Sequence, residues 1–331
     1  MQTSWFGVIS RRALIALAGA ALALSGCSPS QTPAGQASGE SSPAAAADGK
    51  KLTVYATTGY LGDAVANIAP DAEVTVMVGP GGDPHTYQPT TKDIESMTSS
   101  DVVVWTGLHL EAQMIDQLRG LGDKQIEVGT KLDKGKLLDW PEEGPDGEPL
   151  NDPHIWNDPD IWSDVVTIVA EKLGEVDKDN ADTYKKNAEA YRGKIADAVK
   201  AAKTELEKVP AGSRVLITGH DAFNYFGRAF GFEVHATDFV SSEAQLSATE
   251  MSDLAKLIAE KKVPVIFQDN LANPQAIDSL KEAVKANGGE VEVSDEVLYA
   301  DALGDTAGAD TYLGVLETNA RTIAKALGGQ Q

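Results

Sequence analysis

Residues 180–208, NADTYKKNAEAYRGKIADAVKAAKTELEK, decide the fold of this 331-residue chain. The stretch is rich in Ala, Lys, Glu and Leu, which favour helices, and Gly193 is its only glycine. It is followed by Val209-Pro210-Ala211-Gly212, a sequence typical of a helix stop. At about 1.5 Å per residue such a helix spans roughly 40 Å, enough to run along a whole domain. We therefore predict one long helix that connects two regions of the chain.

Both regions alternate short apolar strands with amphipathic helical segments, as parallel α/β sheets do. Before the long helix we predict strands at 52–57, 73–78, 101–106 and 125–129, and helices at 61–68, 91–99, 111–118 and from about 160, after an acidic loop at 139–152. After it we predict strands at 214–218, 233–237, 263–268 and 290–293, and helices at 222–230, 248–261, 274–286 and 310–327.

This pattern predicts an α/β protein with two similar lobes. Each lobe is expected to contain a mostly parallel four-stranded sheet with flanking helices. The predicted bounds are 50–179 for the N-terminal lobe, 180–210 for the connecting helix and 211–331 for the C-terminal lobe. Because ligands collect at the carboxyl ends of strands in open α/β sheets, we expect a binding site in the cleft between the lobes.

Two copies of one tripeptide, Asp83-Pro84-His85 and Asp152-Pro153-His154, contain two of the five histidines. Proline stiffens each turn, and the aspartate can cap the turn or orient the imidazole ring. A third histidine, His220, follows the predicted strand that ends at Thr218. All three lie at carboxyl ends of predicted strands, so we expect them to converge on the cleft.

Neutral imidazole is the commonest protein ligand for zinc and its neighbours. First-row divalent ions usually take four or more ligands, so three histidines require a partner, and a carboxylate is the natural one. Spacing alone leaves four candidates open near the end of the last strand: Asp295, Glu296, Asp301 and Asp305. Since histidines bind metal as neutral rings, affinity is expected to fall as the pH drops through about 6.5.

Five motifs give nearly the whole body of the chain a resemblance to a known family. In order they are GDPHTY at 82–87, GLHLE at 107–111, DPHIW at 152–156, TGHDAF at 218–223 and YADALGD at 299–305. They resemble the motifs of the metal-binding lipoproteins of bacterial zinc and manganese ABC importers, solute-binding protein family 9, cluster A-I. The similarity is greatest to the TroA-like branch of that family.

The resemblance implies four metal ligands, two from each lobe: His85, His154, His220 and Asp301. It implies an extracytoplasmic protein that captures Zn²⁺ or Mn²⁺ as its substrate, without an organic cofactor. The ion would pass to the membrane permease of an ABC importer, whose ATPase is a separate chain. The manganese-dedicated branch has a glutamate at the third ligand position, where this chain has His220. Residues 139–152 also lack the histidine-rich character typical of the zinc branch. The sequence therefore leaves the choice between Zn²⁺ and Mn²⁺ open.

The N-terminus predicts a lipoprotein export signal. The apolar run at 13–24 has about a dozen residues, against roughly 20 needed to span a bilayer. It ends in Leu24-Ser25-Gly26-Cys27, which resembles the bacterial lipobox, and Cys27 is the only cysteine in the chain. We predict a signal peptide at 1–26, and at 27–49 a lipidated Cys27 followed by a flexible tether that holds the protein on the outer face of the cell membrane.

The net charge of the chain and its four implied metal ligands argue against other functional classes. The formal net charge is −22, and loss of Arg11 and Arg12 with the signal peptide makes it more negative, which argues against nucleic acid as a partner. A zinc hydrolase usually keeps an open metal position, and four protein ligands leave little room for one, so we do not expect an enzyme. A metal-dependent adhesin is an alternative suggested by relatives, without a supporting repeat in this sequence. We expect a monomer.

Further residues near the metal motifs are candidates for supporting roles. His109 and Asp221 are candidates to hydrogen-bond a metal ligand, His109 from a predicted helix start and Asp221 from its place beside His220. His235 is predicted to lie on the solvent face of its strand. The aromatic residues near the motifs are interpreted either as lobe packing or as an apolar shell around the ion: Trp105, Trp156, Trp162 and Phe223.

Overall fold

A computed structural model of the chain describes residues 50–144, 147–238, 246–270 and 274–328. The predicted signal peptide, Cys27 and the tether at 27–49 lie outside these residues. The described residues belong to one compact unit. None of the helices in this part of the chain is both long and apolar enough to cross a membrane.

The N-terminal lobe is built on a parallel sheet with the strand order β2–β1–β3–β4. Its strands are β1 (Thr53–Thr58), β2 (Glu73–Val78), β3 (Val102–Trp105) and β4 (Gln125–Glu127). Alternate side chains of β1 enter two different apolar clusters, Val54 and Ala56 on one face and Tyr55 on the other. A sheet covered on both faces needs continuous apolar strands, which explains the apolar run in β3.

Four helices of the N-terminal lobe cover this sheet: α1 (Gly59–Ile68), α2 (Thr91–Ser99), α3 (Ile115–Arg119) and α4 (Pro159–Val176). The helix predicted at 111–118 is shorter, with a 3₁₀ turn at Ala112–Met114 before α3. Leu108 and His109 have positive φ angles of 53° and 69°, so the chain leaves β3 through a left-handed turn and the helix begins later.

The acidic segment at 139–152, predicted as a loop, contains an antiparallel hairpin instead. Its strands are β5 (Asp139–Glu143) and β6 (Pro149–Asn151). Acidic residues and proline have low strand propensity, so the sequence gives no strand signal here. Strand pairing with a neighbouring segment overrides that local preference.

The predicted connecting helix is α5 (Ala181–Leu206), and it packs into the apolar cores of both lobes. Tyr184, Ala188, Tyr191 and Ile195 belong to the N-terminal core, whereas Ala198, Ala202 and Leu206 belong to the C-terminal core. These residues recur every three or four positions, which places them on one face of the helix. One continuous apolar stripe therefore joins the two cores.

The C-terminal lobe repeats the alternation of strand and helix with fewer sheet hydrogen bonds. Its elements are β7 (Val215–Thr218), α6 (Asn224–Phe230), β8 (Glu233–Ala236), α7 (Ala248–Lys261), β9 (Val265–Ile266), α8 (Pro274–Ala286), β10 (Glu292–Val293) and α9 (Tyr312–Leu327). β7 pairs with β8 and β9 pairs with β10, all parallel. A single bridge between Thr218 and Phe267 joins the two pairs.

The two-lobed α/β fold is thus as predicted, with one difference in the second sheet. The strands predicted at 263–268 and 290–293 have only two paired residues each, and the four-stranded sheet predicted for this lobe is replaced by two two-stranded parallel sheets. Helix α9 also crosses between the lobes, because Tyr312 and Val315 enter the N-terminal core and Leu316 enters the C-terminal core. The lobe bounds at 50–179, 180–210 and 211–331 therefore stay a prediction.

Candidate metal centre

Four buried side chains meet at the carboxyl edges of the two sheets. His85 lies in the turn after β2, His154 precedes a 3₁₀ turn, His220 follows β7 and Asp301 lies in the loop after β10. Their ligand atoms all lie within 4.8 Å of one another. They are the four residues that the sequence resemblance implied, and each lobe supplies two of them.

The distances between these ligand atoms match a single small ion. The Nε2 atom of His154 lies 3.2 Å from Nε2 of His85 and 3.2 Å from Nε2 of His220. Asp301 Oδ2 lies 3.4 Å from His85 Nε2 and 3.1 Å from His220 Nε2, and Asp301 Oδ1 lies 3.3 Å from His154 Nε2. A tetrahedral ion with bonds of about 2.0–2.1 Å holds its ligand atoms roughly 3.3–3.4 Å apart.

Both Asp-Pro-His turns use the aspartate to hold the histidine. Asp83 Oδ1 accepts a hydrogen bond of 2.8 Å from the backbone N–H of His85, and Asp152 Oδ1 accepts one of 3.0 Å from that of His154. Asp152 Oδ1 also lies 2.7 Å from the Nδ1 atom of His154. That contact places the proton on Nδ1 and leaves Nε2 free to bind a metal.

His220 is held through its backbone. Its N–H donates to Asp269 Oδ2 at 2.7 Å, and its carbonyl accepts from the Thr218 hydroxyl at 2.8 Å. The buried Nδ1 atom of His220 has no hydrogen-bond partner among the described residues. Sequence reasoning missed Asp269, although the residue follows the predicted strand at 263–268 and so lies at the same sheet edge as the ligands.

Burial and nearby charge change the pKa values of His85 and His220 in opposite directions. Burial lowers the pKa of His85, and the nearby Asp301 only partly offsets this effect. Burial by itself would lower the pKa of His220 too, but the charge of Asp301, helped by Asp269 and Asp221, raises it to about 9. Burial would raise the pKa of Asp301, yet His220 and His154 hold it well below its usual range. These opposite pKa shifts favour a charged pair of His220 and Asp301, and a bound metal ion would displace the proton of His220.

The structure separates Asp301 from the other carboxylates that the spacing left open. Asp301 is buried, whereas Asp295, Glu296 and Asp305 are exposed. Glu296 forms a surface ion pair of 2.5 Å with Lys325. Burial distinguishes these carboxylates where spacing does not, because all four follow the same predicted strand.

The remaining candidates lie outside the group of four. Asp221 Oδ1 accepts a hydrogen bond of 3.0 Å from Asn224, which lies 3.3 Å from Asp152, so Asp221 is connected to His154 through two intervening residues. His109 is half-buried in the left-handed turn, and its predicted contact with a ligand stays a prediction. His235 pairs with Glu233 at the surface, at 2.9 Å.

Of the aromatic candidates, Trp156 contacts the centre. Its ring meets that of His154 edge-on, with 5.4 Å between the ring centroids. Trp105 lies on the other face of the N-terminal sheet, where its indole N–H donates to Gln125 at 2.6 Å. Phe223 belongs to the C-terminal core, and Trp162 packs in the N-terminal core.

Two α/β lobes joined by one helix, with a buried group of three histidines and one aspartate between them, define a substrate-binding protein for a metal ion. Residues 54–326 match the family described as ZnuA, zinc-uptake complex component A, periplasmic. The match covers most of the chain, and the chain belongs to this family.

Named relatives bind different metals. The zinc-binding protein TroA of Treponema pallidum is 35% identical over 288 residues, which are 86% of this chain and 91% of the relative. The manganese-binding lipoprotein MntA of Bacillus subtilis is 33% identical over 283 residues, covering 84% of this chain and 90% of the relative. The solved structure of periplasmic TroA superposes with a TM-score of 0.77 at 34% identity, covering 84% of this chain and 99% of that one.

Proposed function

We propose that the protein captures a divalent first-row metal ion as its substrate and delivers it to an ABC importer. His85, His154, His220 and Asp301 are the proposed ligands. The observation that carries the proposal is the convergence of four buried ligand atoms at separations that suit a single ion. Such a group, without a metal, would leave a charged pair buried at a cost to stability.

The proposed ions are Zn²⁺ and Mn²⁺. Three imidazoles and one carboxylate suit tetrahedral Zn²⁺, and the Irving–Williams order places Zn²⁺ above Mn²⁺ at any shared site of nitrogen and oxygen ligands. Both Asp301 oxygens lie 3.1–3.4 Å from histidine Nε2 atoms, so the carboxylate can offer one oxygen or two. Two bound oxygens would raise the coordination number, which favours Mn²⁺.

The proposed location follows from the N-terminal sequence and the family. Residues 1–26 would be removed as a signal peptide, and lipidated Cys27 would anchor the protein to the outer face of the cell membrane through the tether at 27–49. The partner would be the membrane permease, with its ATPase on a separate chain. We propose a monomer without catalytic activity, since four protein ligands leave no open position for an activated water.

Metal analysis with matched histidine variants tests this proposal. Zn²⁺ and Mn²⁺ affinities would be measured by chelator competition on wild type, His154→Ala and Asp301→Ala, with His235→Ala as the control because His235 pairs with Glu233 at the surface. Loss of one ligand should weaken binding by more than about a hundredfold, since changes around a ligand alone cost 10- to 100-fold. His235→Ala should bind as wild type does.

Two outcomes would contradict the proposal. If Asp301→Ala bound metal as tightly as wild type, Asp301 would not be a ligand. If the metal-loaded protein hydrolysed model esters or phosphates and a chelator abolished the turnover, the site would be catalytic.

A further inference from the structure

One backbone carbonyl beside the metal centre connects the two lobes. The carbonyl oxygen of Ala300 accepts hydrogen bonds from the Tyr60 hydroxyl at 3.1 Å and from the Trp156 indole N–H at 2.8 Å. The Tyr60 and Trp156 rings are stacked, with centroids 5.0 Å apart and an interplanar angle of 16°. All three residues are buried. The donors come from the N-terminal lobe, and the acceptor precedes the C-terminal ligand Asp301.

Apart from the three histidines of the group, no described residue contacts the Asp301 carboxylate through a hydrogen bond or an ion pair. Neither of its oxygens accepts a hydrogen bond of good geometry from the residues that the structure describes, although both are buried. Its direction therefore depends on the backbone that carries it. That dependence makes the hydrogen bonds of the neighbouring residues important for the site.

Within the C-terminal lobe, Asn270 holds the backbone on both sides of Asp301. Its Oδ1 atom accepts from the Ala300 N–H at 2.9 Å, and its Nδ2 atom donates to the Ala302 carbonyl at 3.2 Å. The carbonyl of Ala300 points the other way, to Tyr60 and Trp156. The ligand loop is thus fixed from its own lobe by an asparagine and from the opposite lobe by two aromatic donors.

Trp156 also contacts a ligand of its own lobe. It is two residues after His154, and the two rings meet edge-on at 81°. One rigid side chain therefore touches the His154 ring and holds the backbone that carries Asp301. A shift of the C-terminal loop relative to this ring would change the distance between the two ligands.

We propose that Tyr60 and Trp156 are positioning residues for Asp301: their hydrogen bonds to the Ala300 carbonyl set the distance from its carboxylate to the N-terminal histidines. This inference rests on the proposed metal-binding function. Neither aromatic side chain is a ligand, and each acts through the backbone of the loop. The fourth ligand is then in place only when the loop is docked against the N-terminal lobe, which links metal affinity to the contact between lobes.

The chain contains a matched control for each of the two donors. Tyr312 and Trp162 lie in the same aromatic cluster, with ring centroids 6.4 Å and 6.3 Å from Tyr60, and are equally buried. In the described part of the chain, the Tyr312 hydroxyl and the Trp162 indole N–H have no hydrogen-bond partner. Tyr312→Phe removes the same hydroxyl group as Tyr60→Phe, and Trp162→Phe removes the same indole N–H as Trp156→Phe. Neither control removes a hydrogen bond between described residues.

The experiment compares Tyr60→Phe with Tyr312→Phe and Trp156→Phe with Trp162→Phe. Three quantities are measured: Zn²⁺ affinity by chelator competition, the visible absorption of the Co²⁺-loaded protein, and the thermal midpoint without metal. Co²⁺ absorption reports the ligand field, so it responds to a moved carboxylate and not to stability alone. Tyr60→Phe should weaken Zn²⁺ binding about three- to tenfold, the range expected for one buried hydrogen bond, and should change the Co²⁺ spectrum.

Tyr312→Phe and Trp162→Phe should keep the wild-type affinity and spectrum. The proposal would be overturned if Tyr60→Phe and Trp156→Phe lowered only the thermal midpoint, or if they matched their controls in affinity and in spectrum. Failure of wild type to bind Zn²⁺ would instead refute the metal-binding function. The two failures are therefore distinguishable.

Discussion

The two lobes share one alternation of strand and helix and differ in how they hold the proposed metal ligands. In the N-terminal lobe four strands form one sheet. In the described part of the C-terminal lobe, two strand pairs are joined by a single bridge. The N-terminal histidines are held by aspartates two residues earlier in the sequence. The proposed C-terminal ligands depend on distant residues, with the backbone N–H of His220 donating to Asp269, 49 positions later in the sequence.

This difference shows which half of the metal centre is positioned by contacts between residues close in sequence. An Asp-Pro-His turn needs only its own residues to place the histidine, because the carboxylate bonds the backbone two positions on. His220 and Asp301 take their positions only after β7, β9 and the loop after β10 are packed together. Long-range contacts carry the entropy of closing a loop, so the C-terminal half is expected to be the less rigid one.

The largest expected difference is between variants of two aspartates that each accept a hydrogen bond from one histidine. They are Asp152 in the N-terminal lobe and Asp269 in the C-terminal lobe. Asp152→Ala should weaken Zn²⁺ binding about 10- to 100-fold, because the carboxylate fixes the tautomer of His154 through Nδ1. Asp269→Ala should have a smaller effect on affinity and a larger one on stability, because it leaves the buried backbone N–H of His220 without this acceptor.

Chelator competition and thermal unfolding without metal would measure both effects. Asp305→Ala is the control, since this carboxylate is exposed and lies outside the group of four. Equal losses of affinity in Asp152→Ala and Asp269→Ala would remove the distinction between the lobes.

The pH dependence of metal binding should be determined by His220 and not by His85. His85 has a lowered pKa and meets the metal as a neutral ring, whereas the pKa of His220 is raised to about 9. A raised pKa means that the protein holds this proton below pH 9, and the metal must displace it. Zn²⁺ affinity should therefore rise about tenfold per pH unit between pH 7 and 8.5 and level off above about 9, so the loss of affinity begins at a higher pH than the value of about 6.5 expected from unperturbed histidines.

Calorimetry at pH 8 in buffers of different ionisation enthalpy would measure the proton released on binding. About one proton is expected, from the C-terminal half of the site. Unperturbed histidines would release almost none at this pH, so a value near zero would contradict the raised pKa of His220.

The smallest expected effect concerns the helix that joins the lobes. Gly193 lies inside α5 and is exposed, and a Cβ atom added there would have no neighbour within 4 Å. Gly193→Ala should therefore stabilise the protein by about 0.5–1 kcal/mol, because alanine loses less backbone freedom on folding. Urea unfolding without metal should show one transition, shifted as a whole.

Gly174→Ala is the matched helix control. Its Cβ would lie 3.0 Å from the Cβ of Ala181, so close contact should offset the gain in propensity. Two separate transitions in Gly193→Ala, with only one shifted, would show that α5 does not join the lobes into one cooperative unit.

Much of the fold was predictable because it is encoded in local periodicity. The bounds of β2, α2, α7 and α8 match the predicted ranges. The hairpin β5–β6 was missed because acidic strands are stabilised by pairing and not by propensity. The predicted helix start at His109 was wrong because a left-handed turn, with the buried carboxylate of Glu111 accepting from the Gly107 N–H at 3.0 Å, occupies this segment.

The candidate site was predictable in chemistry and less so in geometry. Two Asp-Pro-His turns and a histidine after a strand indicated a metal site from the residues alone, and the family resemblance singled out Asp301. The roles of Asp269 and Asn270 could not be read from spacing, since their contacts join segments 30 or more positions apart.

By itself, the sequence determined the two alternations of strand and helix, the long helix between them and the histidine-bearing turns, because each depends on neighbouring residues. Only the tertiary structure decided how Asp301 meets the histidines, how Asp269 supports His220, and how Tyr60 and Trp156 meet the Ala300 carbonyl. These contacts connect residues as far as 240 positions apart. Their geometry depends on the packing of two lobes along one helix, and no local pattern of residues encodes that packing.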